Sequence, residues 1–417
     1  MTKWDTHHRL PKDVASNNLR GRCASERLLQ CRLAILLPDL RYGGAERVSI
    51  YLANEFVSRG FTVDVVLMEA AGDLLPLLNP AVGVIDLGVA RMRGLFGPLA
   101  SYLRTARPAA LVSNMWPLTA CAVAAARWVA RRHGTRVVVV EHNNWTLQSR
   151  QDSPLLRTLR KISMRLLFPL AAGRVGVSRG VALDLERHAY LASGSVQCIY
   201  NPVTGVQRGA VQISDGATIQ AWANGTHQKL LAVGVLQPQK RFDWLLEAFS
   251  RLEPDGQARL LILGDGPERA MLEAMVTKLG LENRVSMPGF VDNPAAYYAH
   301  ADLFVLSSEY EGLSLVLVEA LEQGTPVVAM DCPSGPREVL ENGKFGALVP
   351  VGDVEALAAA MQKALNEPHD REALKRRAQD FSVDKAAVAY LDLLLPGWRS
   401  FPVTEAQPAA IQPMPNQ

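Results

Sequence analysis

Residues 301–330 read "ADLFVLSSEYEGLSLVLVEALEQGTPVVAM". Two continuous apolar runs, "DLFVLSS" and "TPVVAM", bracket a segment with the composition of a buried helix. A run that is apolar at every position, not at every second one, is a strand covered on both faces, and such strands belong to parallel sheets flanked by helices. The first strand is predicted to end at Ser308 and the helix to begin near Ser314, so a carboxylate-rich loop lies between them.

The same alternation spreads outward in both directions. Toward the N-terminus come "RLAILLP", a helix from Ala45 to Ser58, "FTVDVVLM", "RVVVVEHNN", the strand and helix of "GRVGVSRGVALDLERHAY", and "VQCIYNPV". The second half repeats it with "KLLAVG", "RLLILG" and "RVSMPG" ahead of the opening stretch. The pattern predicts an α/β protein of two doubly wound, Rossmann-like domains facing a central cleft, with ligands at the C-terminal ends of the strands. Expected boundaries are a loose or disordered arm at 1–30, an acceptor-side domain at 31–200 and a weakly patterned linker at 201–228. A second domain follows at 229–385, then a C-terminal helix at 386–400 that packs back on the first domain, and a mobile Pro/Gln/Ala-rich tail at 401–417.

A chain of 417 residues is long for a single core, and its 48% apolar and 20% charged residues are those of a globular protein. The net charge of +3 conceals an imbalance: residues 1–200 carry 26 Lys/Arg against 14 Asp/Glu, residues 201–417 carry 18 against 27. A basic half points to an anionic partner. The five cysteines are scattered, with no C-x-x-C pair, which argues against a disulfide framework or zinc site and fits a reducing compartment. The first 30 residues lack the apolar core of a signal peptide, and no run of about 18 uncharged apolar residues occurs. The expected location is the cytoplasm, peripheral on the inner face of the membrane.

Glu311 and Gly312 fall in the loop that enters the helix. The amides of Gly312, Leu313, Ser314 and Leu315, with the helix dipole, make an anion site suited to a diphosphate. Glu319 follows about one and a half turns into the helix, and an eight-residue helical step spans roughly 12 Å. That is the reach of a sugar diphospho-nucleoside, with one acid on sugar hydroxyls and the other on ribose hydroxyls. Two lone glutamates would otherwise read as a solvated loop acid and a helix-surface acid; the strand–loop–helix–strand order is what argues for a site.

"SSEYEGLSLVLVEALEQGTPVVAMDCPSGPREVL" resembles the signature of glycosyltransferase family 4, the retaining enzymes of GT-B fold with an E-x(7)-E motif. The likeness runs more weakly over about Arg32 to Leu395. It implies a nucleotide-sugar donor, with Glu311 at the donor sugar and Glu319 on the ribose. "LLAVGVLQPQKRFDWLLEAF" is similar to the family's phosphate-binding segment and places Lys240 as the diphosphate lysine. The family's usual Arg after the strand's Gly is Val235 here, so Arg241 or a different basic residue would have to supply that cation. By the same likeness, Gly264 lies near the nucleotide, Gly289 and Phe290 on the base side, Gly43 and Gly44 at donor and acceptor, and His142 close to the reacting sugar.

The resemblance further implies same-face attack with the leaving diphosphate taking the acceptor's proton, so Glu311, Lys240 and His142 would position and stabilise and none would act as nucleophile. The chain has no D-x-D, so no metal and no cofactor are expected; the nucleotide sugar is a co-substrate. UDP-sugars are the favoured donors and GDP-mannose the second. In "SPLLRTLRKISMRLLFPLAAG", Leu155, Leu159, Ile162 and Leu166 form one helical stripe, and Arg157, Arg160, Lys161 and Arg165 lie mostly on another. That is the profile of a helix lying on an anionic membrane, which favours a lipid-diphosphate-linked glycan acceptor. No nucleic-acid module accompanies the basic charge. Two other readings remain open: a carboxylate-pair glycoside hydrolase, which needs its acids about 5–10 Å apart, and a non-catalytic nucleotide-sugar-binding protein.

Overall fold

Uninterrupted Val/Ile/Leu runs have no polar face to offer water, so they become the middle strands of parallel sheets. The computed structural model describes residues 31–41, 43–129, 134–149, 152–203, 216–225, 227–252, 258–291 and 293–400; the expected arm, the tail and residues 204–215 and 226 of the expected linker lie outside the described residues. The first sheet contains β1 (Arg32–Leu37), β2 (Thr62–Leu67), β3 (Gly83–Asp86), β4 (Ala110–Asn114), β5 (Arg136–Glu141), β6 (Gly173–Gly176) and β7 (Gln197–Cys198). The second contains β8 (Gln228–Val233), β9 (Ala258–Leu263), β10 (Val285–Gly289), β11 (Leu303–Leu306), β12 (Val327–Met330) and β13 (Ala347–Val349). Their orders are β3-β2-β1-β4-β5-β6-β7 and β10-β9-β8-β11-β12-β13. Neighbouring strands pair in parallel, in register Ile35 to Val65 and Val112 in one sheet and Val305 to Val328 in the other.

Each order reverses once, between β1 and β4 and between β8 and β11. At such switch points the loops leaving adjacent strands part in opposite directions and open a crevice at the strands' C-terminal ends. Both crevices face the cleft between the domains. β3, β4 and β13 were not singled out in the sequence: β3 is an edge strand with alternate residues exposed, β13 has three residues, and β4 ends in buried Ser113 and Asn114.

The helices used below are α1 (Gly44–Ser58), α2 (Pro154–Leu167), α3 (Arg179–His188), α4 (Gly216–Asn224), α5 (Ala295–His300), α6 (Leu315–Glu322), α7 (Pro336–Val339) and α8 (Val383–Leu394). α4 corrects the linker expectation, since it lies inside 201–228. Ile219 and Trp222 are buried there, and Trp222 Nε1 donates to the Tyr297 carbonyl of α5 at 3.2 Å. Two anchors three residues apart in a polar stretch are too few to mark a helical period.

α8 begins three residues before the expected 386 and ends at Leu394. It packs on α1, β4 and β5 of the first domain; Arg136 Nη2 donates to the Leu393 carbonyl at 3.2 Å, and Arg59 pairs with Asp384 at 2.6 Å. The chain thus crosses between domains twice, and the crossings touch: Val203 N–H donates to the Phe381 carbonyl at 3.0 Å. One apolar core runs through this junction, joining Ile50 and Phe56 of α1, Tyr390 and Leu394 of α8, and Leu317 and Leu321 of α6.

Candidate active site

The loops leaving β8 and β11 are stitched together by their own polar groups. Glu309 N–H donates to the Gln239 carbonyl (2.9 Å), Gln239 Nε2 to the Tyr310 carbonyl (2.8 Å), and Ser307 Oγ to the Lys240 carbonyl (2.8 Å). This fixes Lys240 Nζ 2.7 Å from Glu311 Oε1, which also accepts from Ser308 Oγ at 2.7 Å. Glu311 is 6% exposed, and a carboxylate so far from water requires such partners.

Gly312 stands where the domains meet. A Cβ there would lie 1.9 Å from the His142 carbonyl oxygen, so only glycine permits the approach. Leu313 is buried, and Ser314 enters α6 with φ 71 and ψ 75; its buried hydroxyl has no hydrogen-bond partner among the described residues. Leu315 faces Gly44 of α1, where a Cβ would be 3.3 Å from Leu315 Cδ1, and Gly43 makes room for the Glu46 carboxylate folded back over it. Glu319 lies on the wall of a cavity of about 610 Å³ between the domains, together with Arg47, Tyr51, Pro294 and Tyr298. The Tyr298 hydroxyl donates to Glu319 Oε2 at 3.1 Å. Burial raises the Glu319 pKa, with Arg47 and the Tyr298 hydrogen bond pulling the other way.

The remaining expected positions shape the cleft's second-domain wall. Gly264, at φ 137, packs so closely that a Cβ would sit 1.9 Å from the Gly234 carbonyl oxygen, and its N–H donates to the Gly289 carbonyl at 2.8 Å. These glycines draw the ends of β8, β9 and β10 together. Phe290 and Val235 are each 46% exposed. The Arg241 guanidinium bonds both oxygens of Asp243 (3.0 and 2.7 Å), lies 3.8 Å from Glu309 and stacks 3.8 Å from the Trp244 ring centroid. Its charge is committed to its own helix start; Lys240 is the cation held on Glu311.

On the first domain's side, His142 follows β5. Its Nε2 is 3.0 Å from Asn114 Oδ1 and its Nδ1 is 3.3 Å from Asn201 Nδ2, which assigns the proton to Nε2. Burial lowers its pKa to about 4, so the ring is neutral at pH 7 and both nitrogens are engaged. Neighbouring Glu141 is fully buried; Oε2 accepts from Trp116 N–H and Trp145 Nε1 (both 3.2 Å), and Oε1 lies 3.0 Å from Thr119 Oγ1. Burial lifts its carboxyl to about 8 against those hydrogen bonds. Asn114, Asn201 and Ser308 were not found from the sequence. Ser308, three residues before Glu311, was the one with a local signal.

α2 requires a correction. Arg160, expected among the membrane-facing cations, is 4% exposed: it pairs with Asp152 at 2.6 Å, and its guanidinium lies over the rings of Trp116 (4.9 Å) and Trp145 (4.2 Å). It sits one helical step from buried Met164, on the helix face turned inward. Arg157 is half-buried and bonds the Asp152 carbonyl, while Arg165 is exposed beside Tyr190. Leu155, Leu159, Ile162 and Leu166 are all more than half exposed, at 70, 53, 51 and 64%. Among the described residues no helix is long and apolar enough to cross a membrane.

The family profile "Glycosyltransferase Family 4" matches residues 42–204, and "Glycosyl transferases group 1" matches 219–381. A relative from Campylobacter jejuni, an N-acetylgalactosamine-N,N'-diacetylbacillosaminyl-diphospho-undecaprenol 4-alpha-N-acetylgalactosaminyltransferase, is 30% identical over 53% of this chain and 58% of its own. A lipopolysaccharide core biosynthesis glycosyltransferase of Rhizobium meliloti is 35% identical over 40% of this chain and 49% of its own. The chain thus spans about half the length of these curated relatives. Among solved structures, sucrose-phosphate synthase from Thermosynechococcus elongatus superposes with TM-score 0.72 at 20% identity, over 87% of this chain and 98% of that one. Anabaena HepE in complex with UDP superposes with TM-score 0.70 at 22% identity, over 87% and 99%. These likenesses establish a shared two-domain fold.

Proposed function

The chain belongs to glycosyltransferase family 4, of GT-B fold, and from that premise we propose that it is a retaining hexosyltransferase in polysaccharide or glycoconjugate synthesis. It moves a sugar from a nucleotide sugar, a UDP-sugar first and GDP-mannose second, to a lipid-diphosphate-linked saccharide. The observation that carries this reading is the Lys240–Glu311 pair at the entry to α6, with Glu319 on the same helix opening onto the interdomain cavity.

The donor's diphosphate rests on the amide-lined start of α6, and Lys240 opposes the charge that grows as the nucleotide departs. Ribose hydroxyls donate to Glu319, giving a carboxylate of raised pKa the partners that ionisation requires. The acceptor oxygen bonds to the anomeric carbon as the bond from that carbon to the phosphate oxygen breaks. The electron pair leaves with the nucleoside diphosphate, which takes up the acceptor's proton. His142 is neutral with both ring nitrogens engaged, a state suited to positioning and not to proton abstraction. No metal participates in this scheme, so activity is expected to survive chelator.

Two observations support a lipid-linked acceptor. The Campylobacter relative's name specifies a diphospho-undecaprenol substrate, and α2 presents a leucine stripe to solvent instead of packing it. An apolar stripe flanked by basic residues partitions into anionic membrane surfaces. The protein then works at the inner face of the cytoplasmic membrane. The decisive experiment incubates purified protein with radiolabelled UDP- and GDP-sugars and extracted polyprenyl-diphosphate glycans, with and without chelator. Label entering the lipid fraction is the expected result. Free sugar released without nucleotide would favour a hydrolase, and donor binding without transfer would favour a non-catalytic protein.

A further inference from the structure

A second carboxylate bridges the domains outside the donor loops. Glu338 belongs to α7 of the second domain; its Oε2 accepts from Arg179 N–H at 2.7 Å and its Oε1 from Gly180 N–H at 2.9 Å. Those amides open α3 of the first domain, where unpaired N–H groups and the helix dipole favour negative charge. Ser178 Oγ accepts from the next amide, Val181 N–H, at 3.1 Å. One domain therefore supplies part of α3's cap and the other domain supplies the rest. Tyr200 of the first domain lines the same pocket as this carboxylate.

The segment carrying Glu338 is braced on both sides. Arg377 donates from Nη2 to the Glu338 carbonyl at 2.7 Å and from Nε to the Val339 carbonyl at 3.0 Å. Gly335, at φ 91, packs so near the donor loop that a Cβ would lie 2.6 Å from the Leu313 carbonyl oxygen. Ser334 fills the space opposite Gly180, where a Cβ would lie 2.8 Å from Ser334 Cα. Residues 334–338 thus touch the first domain on one face and the Gly312–Leu315 loop on the other.

We propose that Glu338 is a positioning residue that latches the cleft shut: by capping α3 across the domain boundary it sets Gly312 and Leu313 against His142. In an open form the carboxylate and the amides are returned to water, and the donor loop loses its first-domain wall. The kinetic consequence rests on the glycosyl-transfer reading above; the structural consequence does not.

The test uses the full chain and two variants. Glu338→Gln keeps the shape but sets an amide N–H₂ against a backbone N–H. Gly180→Ala places a methyl group into Ser334 without touching the carboxylate. Small-angle scattering is recorded with and without UDP, alongside UDP affinity and transfer kinetics. Both variants are expected to bind UDP within about twofold of wild type, to show a larger radius of gyration with UDP present, and to lose about ten- to a hundredfold in kcat through misplacement. A Glu338→Gln protein with wild-type scattering overturns the latch; should that variant not fold, unchanged scattering in Gly180→Ala does so. Absence of both UDP and GDP binding by wild type would undo the functional reading, while the scattering difference would still decide the latch.

Discussion

The two walls of the cleft handle charge in opposite ways. The first domain brings His142, Glu141, Asn114 and Asn201 to its strand ends and leaves them neutral, burial having pushed the histidine down to about 4 and the carboxyl up to about 8. The second domain brings Lys240, Glu311 and Glu319 to the equivalent ends, and ties the first two into a 2.7 Å ion pair. A leaving group that gains negative charge needs fixed counter-charge beside it, whereas an incoming hydroxyl needs a shaped, unreactive wall. In the proposed reaction this asymmetry puts the donor on the second domain's wall and the acceptor on the first's.

The comparison breaks most sharply at the ion pair. Lys240→Met is expected to lower kcat/KM by about a hundred- to a thousandfold, the scale of a lost leaving-group contact. His142→Gln, which can restore the bond to Asn114, should cost no more than about tenfold; equal losses in steady-state assays would refute the division of labour. Next comes Glu319→Gln, which keeps the shape and removes the charge. Donor affinity should fall about tenfold, the value of one charge-assisted hydrogen bond, with the melting temperature held. Wild-type affinity by calorimetry would remove the ribose role.

The first domain's outer face offers a test of intermediate size. Combining Leu155→Ser, Leu159→Ser and Leu166→Ser removes apolar area that is more than half exposed among the described residues. Binding to anionic vesicles should drop at least about tenfold, with transfer to a short-chain soluble acceptor kept. Arg160→Met, by contrast, should disturb folding more than vesicle binding, because Arg160 is buried on Asp152. The smallest effect concerns Glu141. Its carboxyl is held to about 8 in the fold against an ordinary 4.5, so the native state carries a proton the unfolded chain lacks. Stability therefore falls as pH rises from about 4.5 through about 8. Glu141→Gln mimics the protonated form, with its oxygen toward Trp116 and Trp145 and its amide toward Thr119. Thermal melts should show the variant gaining on wild type between pH 5.5 and 8.5; parallel curves would mean the carboxyl is ionised.

How much of this could be read beforehand follows from how local each feature is. Glu311 and Glu319 share a loop and a helix, so their spacing, set in the strand–loop–helix–strand order around them, suggested a site. Lys240 reaches Glu311 across 71 residues of chain and was reached only through a family resemblance. Asn114 and Asn201 lie on either side of His142 by virtue of strand order, which no linear pattern encodes. Arg160 was misplaced because a charged residue on an amphipathic helix ordinarily faces water; two tryptophans and an aspartate from elsewhere in the first domain made the inward face habitable. Glu338 carries no local signal, because the amides it caps belong to the other domain.

The double crossing at Val203 and Phe381 has a mechanical consequence. Two strands of chain bound side by side act as an axle, whereas a single tether would behave as a ball joint. With α8 riding on the first domain and pinned through Asp384 to Arg59, opening reduces to a scissor movement about that axle. The blades part farthest at the rim, where in the proposed reaction a bulky glycan would enter.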